Sequence, residues 1–190
     1  MQRNALIPIT GAVITLGLLL TSFGVSAMQP DKAERLTQVG EPEANARGIP
    51  APSETEARER ARLLHEAFHA TLQFVHHEYY RPDERLTLPA TTLERVFREL
   101  AKSRNVKLRW LAVSAQAMNV EHNPQDEFEK NAIAALKAGQ DEFERVEKGI
   151  YRHAGTITLT SDCLKCHLPG RTSTQDRAAA LVISIPLLKE

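Results

Sequence analysis

The sequence predicts an α+β fold built on an antiparallel sheet. Two observations predict it: helical apolar periodicity comes first along the globular region, and strands mixed with helices follow, ending in an apolar run suited to a buried closing strand. The chain has 190 residues, 42% of them hydrophobic, enough for one domain with a true core and short for two. Its 24 Lys and Arg cancel 24 Asp and Glu, so no net field steers it to nucleic acid or to an anionic membrane. Two cysteines are too few for a disulfide-stapled scaffold.

The first segment lies outside this fold. Residues 1–27 read as a secretory signal: Arg3 is the positive start, Ala5 to Leu20 is uncharged, and Val25-Ser26-Ala27 supplies small residues for cleavage. The apolar run is about 16 residues, below the roughly 20 that a spanning helix needs, so export to the periplasm is expected, with membrane tethering only if the segment is retained. Residues 28–52 are polar and rich in Pro and Gly, as in a flexible linker, and the domain is expected over 53–190.

Each element then has its own signal. Ser53 with Glu56 is a capping-box pair that opens a helix to about Tyr80, stopped by Pro82, with Leu64, Phe68, Leu72, Val75 and Tyr79 on its apolar side. A second helix is expected from Thr92 to about Lys102 on Leu93, Val96, Phe97 and Leu100. Val106 to Ser114 alternates as a strand, with Val106, Leu108, Trp110 and Ala112 on one face. Asn123 followed by Pro124 predicts a helix start, and Gly139 its end. After a short acidic segment, Tyr151 to Leu159 and Ala179 to Leu188 read as strands.

Cys163-Leu164-Lys165-Cys166-His167 carries the chemistry. C-x-x-C-H is the pattern of c-type haem attachment: two thiols one helical turn apart add to two vinyl groups on one porphyrin edge, and the adjacent His reaches the iron. Given this composition, the pattern arises by chance about once in 2,600 chains. A thioredoxin-like pair would sit early in a βαβ fold rather than near the end of the chain. A zinc site of Cys163, Cys166, His167 and His153 is chemically possible. A disulfide across two residues would gain little. Haem c, one per chain, is the reading the pentad supports best, with Cys163 and Cys166 as thioether residues and His167 as proximal iron ligand.

No Met or His follows residue 167, so a distal ligand must come from upstream: His65, His69, His76, His77, Met118, His122 or His153. His65, His69 and His76 fall within roughly 40° of one another on the first helix, while His77 points away. Met118 would raise the potential. His153, beside Arg152 on a strand, is a candidate haem-propionate contact.

"YRHAGTITLTSDCLKCHL", with "LRWLAVSAQAMNVEHNPQDEFE" upstream and "AALVISIPL" at the end, resembles the Tll0287-like haem domain family (DUF3365) over about Glu56 to Leu188. The resemblance implies a PAS-like antiparallel sheet with N-terminal helices and covalently bound haem, found alone or as an extracytoplasmic sensor. It also implies a distal Cys on the first helix. This chain has no third Cys, and "QFVHH" places His76 at that position, with His69 or Met118 as the alternative ligand. The function expected is that of an exported monohaem cytochrome for redox or small-ligand sensing. A periplasmic electron carrier is the alternative, and a peroxidase-type enzyme is disfavoured because no distal acid–base set is visible. The redox or signalling partner is not specified by the sequence.

Overall fold

The computed structural model describes residues 49–81, 84, 86–114, 117–167, 172–173 and 175–189. The expected signal segment and all but the last residues of the expected linker lie outside them. Among the described residues, no helix is long and apolar enough to cross a membrane.

Helix α1 (Glu54–Glu78) starts at the expected capping box: the Ser53 hydroxyl accepts from the Glu56 N–H, and the Glu56 carboxylate accepts from the Ser53 N–H at 2.8 Å. Helix α2 (Pro89–Arg104) begins three residues before the expected Thr92, because Pro89 fits the first helical position, and it ends on Asn105 in the left-handed conformation. Strand β1 (Lys107–Ala112) leads to a single 3-10 turn (Val120–His122), and helix α3 (Glu127–Lys137) follows. Asp126, not Asn123, caps α3: its carboxylate accepts the Glu129 N–H at 3.0 Å, and Glu129 in turn accepts the Gln125 N–H at 2.7 Å. An Asp followed three residues later by Glu outcompetes the Asn-Pro start because it satisfies one first-turn N–H and ties down the N–H just before the cap.

The acidic segment after α3 is strand β2 (Glu142–Glu147), which turns at Lys148-Gly149 into β3 (Ile150–Leu159). Both turn residues have positive φ, the conformation a tight hairpin requires. Helix α4 (Ser161–His167) and strand β4 (Arg177–Pro186) complete the domain. The four strands are antiparallel in the order β1-β4-β3-β2, so α+β with an antiparallel sheet and leading helices is the observed class.

Both sheet faces are covered, which single-face alternation in β1 did not anticipate. Leu108, Trp110, Tyr151, Ile157 and Ile183 pack with Ala61, Leu72 and Phe97 from α1 and α2. On the other face Leu111, Val113, Ala154 and Val182 pack with Phe128, Ala132 and Leu136 from α3. The stretch at 49–52 also joins the domain: Pro52 is buried, and its carbonyl accepts the Leu188 N–H at 3.0 Å.

Candidate haem-binding cleft

At one end of the sheet, where β1 and β3 finish and β4 begins, lies an open cleft. Its walls are chiefly apolar: Leu72 from α1, Trp110 from β1, Ile157 and Leu159 from β3, and Ala179 from β4. The Trp110 indole N–H donates to the Ala90 carbonyl at 3.2 Å, so this large side chain presents carbon to the cleft without an orphaned donor. Cys163 opens onto the same space from α4, its thiol free and 3.6 Å from the Thr160 hydroxyl. The C-x-x-C-H pentad is thus wound as a helix in the short connection between two central strands, which spaces Cys163 and Cys166 by about one turn.

Of the candidate iron ligands, His76, Met118 and His122 line this cleft. His76 sits in the last turn of α1, half-buried, with Nδ1 3.0 Å from the Leu72 carbonyl. In that bond Nδ1 carries the proton and donates, so Nε2 is left as the neutral lone-pair nitrogen, the tautomer a metal takes. The Tyr80 ring stands edge-on to the imidazole at 5.6 Å. His122 is engaged elsewhere, with Nε2 3.1 Å from a Glu94 carboxylate oxygen. Met118 is 59% exposed at the mouth.

His65, His69 and His153 do not line the cleft; they form a cluster between the middle of α1 and β3. The His65 ring lies 5.7 Å from both His69 and His153. His65 Nε2 meets the Thr156 carbonyl at 3.1 Å, and Gly155 provides the room: a Cβ there would come within 2.5 Å of the His65 ring. His69 approaches Gln73 at 3.3 Å, and Gln73 donates to the Thr158 carbonyl at 2.8 Å. His153, the expected propionate contact, is only 1% exposed; its Nδ1 is 3.7 Å from Glu142, and neither ring nitrogen has a hydrogen-bond partner. Burial, then the neighbouring His65, push its pKa down to about 4 against the pull of Glu142 and Glu144. His65 and His69 are held below the usual histidine range, both chiefly by burial.

Ion pairs fix the elements that frame the cleft. Arg58 and Arg62 of α1 reach Glu144 and Glu142 of β2, and the Tyr151 hydroxyl donates to Glu144 at 2.5 Å. Under the sheet, buried Glu129 pairs with Arg109 at 2.5 Å and lies 3.5 Å from Arg152, whose guanidinium stacks on Phe128 at 4.2 Å and donates to Asp126 at 2.6 Å. Sequence reasoning did not single out this group, although the Asp126–Glu129 capping pair was visible in the chain. Among the described residues, no group of three His, Cys, Asp or Glu is arranged to hold a metal by itself.

The model of the Tll0287-like family matches residues 50–184, spanning α1 to β4 and the cleft between them. The chain belongs to the Tll0287-like family. A solved structure with a similar arrangement is the cyanobacterial heme-protein Tll0287, at 15% identity and a TM-score of 0.46, over 72% of this chain and 94% of that chain. No curated protein matches the chain.

Proposed function

We propose that this Tll0287-like chain is an exported, periplasmic c-type cytochrome carrying one covalent haem and serving redox or small-ligand sensing. The observation that carries the reading is the juxtaposition of the C-x-x-C-H helix with an apolar cleft that Cys163 and His76 both line, His76 with its Nδ1 proton on a backbone carbonyl. Family membership supports haem as the group, and the uncharged run after Arg3 supports export, where such haem is attached.

The residues at the cleft fit a haem: apolar walls for the macrocycle, the Cys163 thiol on the lining, and an imidazole nitrogen with a free lone pair. Cys163 and Cys166 would hold it covalently, His167 would be its proximal ligand and His76 its distal one. The group would supply a one-electron iron centre whose potential follows its axial ligands and surroundings. The protein's own contributions are these. The Leu72 carbonyl holds the Nδ1 proton of His76 and so orients the ring; Trp110, Ile157 and Leu159 exclude water and lower the local dielectric; α4, between β3 and β4 in the chain, carries the Cys163 thiol to the cleft. His76 stands in the last turn of α1, the helix that Arg58 and Arg62 tie to β2 at its other end.

The test is spectral. Full-length protein matured in a host competent for haem attachment is expected to keep its haem through acid–acetone extraction and to show a six-coordinate bis-histidine spectrum. Colourless protein refutes the haem reading. Carbon monoxide binding to the reduced form supports a displaceable His76 and sensing, and its absence supports the carrier. An unchanged spectrum in His76→Ala removes the ligand assignment.

A further inference from the structure

The end of the sheet remote from the cleft carries a second concavity that haem binding leaves unused. It lies where β1 begins and β4 ends, bounded by the first half of α1, the end of α2 and residues 49–52, and encloses about 1330 Å³ including its open mouth. Leu64, Leu100, Val106 and Ile185 give it apolar walls, and Arg60 and Arg104 stand on its lining. No Asp or Glu lines it among the described residues.

The two guanidinium groups are weakly committed. The nearest carboxylate to Arg60 is Glu56, one turn back on the same exposed helix surface and at 4.0 Å, a distance at which an ion pair in water contributes little. Arg104 has no ion pair among the described residues. An arginine fork matches a carboxylate in shape and binds it in two parallel hydrogen bonds. The walls ask for something different, since Leu64, Leu100 and their neighbours gain only by covering apolar surface. A small inorganic anion would leave these walls wet, and a neutral hydrocarbon would leave the two exposed guanidinium groups with water alone. Only a ligand with both an aliphatic body and one anionic end satisfies the two halves together.

We propose that this groove binds an amphipathic carboxylate, its aliphatic tail against Leu64, Leu100, Val106 and Ile185 and its carboxylate held by Arg60 and Arg104. The site is separate from the cleft in place and chemistry, and its existence does not depend on haem. Both sites share α1: Arg60 and Leu64 belong to the groove, Leu72 and His76 to the cleft.

Calorimetric titration of the full-length, haem-matured protein with decanoate, below its micelle concentration, tests this against decanol as the neutral probe of equal length. The expected result is saturable decanoate binding about tenfold or more tighter than decanol, with that advantage removed in the Arg60→Gln/Arg104→Gln variant while decanol binding stays as it was. Equal affinity for the two probes refutes the proposal, as does an undiminished decanoate preference in the double variant. So does a decanoate-induced Soret change abolished by imidazole, which would place the ligand in the cleft. Binding that emerges only after removal of residues before Ile49 would assign the groove to the chain's own leading segment and overturn it too. Circular dichroism of the double variant confirms that it is folded, and pyridine haemochrome analysis of the same samples scores the haem reading separately.

Discussion

Acidification should unfold this protein earlier than its carboxylates alone require, because of His153. The imidazole is buried, has no hydrogen-bond partner, and faces Arg62 and His65 from α1 with Glu142 and Glu144 from β2. Its pKa is about 4 in the fold against about 6.5 in an unfolded chain. The unfolded state therefore binds the proton more readily, so stability is complete above pH 6.5 and is lost as pH falls from 6.5 towards 4. At about 1.4 kcal/mol per pH unit the full interval is worth roughly 3 kcal/mol, of which about 2 kcal/mol is gone at pH 5. His65, also held low, adds to the same slope. Urea unfolding of the haem-loaded protein between pH 7.5 and 5 measures it, with His153→Leu as the variant that cannot take up the proton. The wild type is expected to lose about 2 kcal/mol across this range more than the variant does. An identical pH slope in the two proteins refutes the reasoning. An imidazole resonance of wild-type His153 titrating near 6.5 refutes it independently of the variant's own stability.

Further outcomes follow from the same geometry. Glu129→Ala leaves Arg109 and Arg152 facing each other under the sheet and is expected to cost about 3–5 kcal/mol by chemical denaturation. Gly155→Ala drives a methyl group into the His65 ring and is expected to cost about 1–3 kcal/mol; pairing it with His65→Ala should recover part of that loss, since the cost is a collision. Leu111→Ala, at a fully buried position against α3, is expected to cost about 2–5 kcal/mol through the cavity it leaves. Cys163→Ala should still mature with haem held by one thioether at most, read as a shift of the pyridine haemochrome α-band towards that of a free vinyl.

How much of this was legible in the chain depended on how local the cause was. The α1 start needed only Ser53 and Glu56, and it stands where the pattern puts it. Strand β2 was missed because Glu-Phe-Glu-Arg-Val-Glu has no apolar face. Its carboxylates are satisfied by Arg58 and Arg62, more than 75 residues earlier, a pairing that periodicity cannot see. The start of α3 failed differently: two valid signals competed within four residues, and the one making two hydrogen bonds won. The C-x-x-C-H motif is sequence-local and was plain. The cleft is not, since it needs α1, β1, β3, α4 and β4 to meet. His65, His69 and His76 share one stripe of α1 by angle, yet of the three only His76 lines the cleft, because the stripe runs along β3, with His65 at Thr156 and Gln73 at Thr158, and the cleft lies at its C-terminal end.

The strand order has a consequence for the timing of assembly. β4, fourth in the chain, lies between β1 and β3, so these two have no partner in each other. Until residues 177–186 are available, the first strand has nothing to pair with and the cleft lacks a wall. Every productive sheet contact of β1 spans about 70 residues, from Lys107 with Ser184 to Ala112 with Ala179, so folding must close long loops before it gains from them. In any vectorial emergence of the chain the sheet would stay open until β4 is free to insert. Helix α4, which lies between β3 and β4 in the chain, would be held from one side only up to that moment.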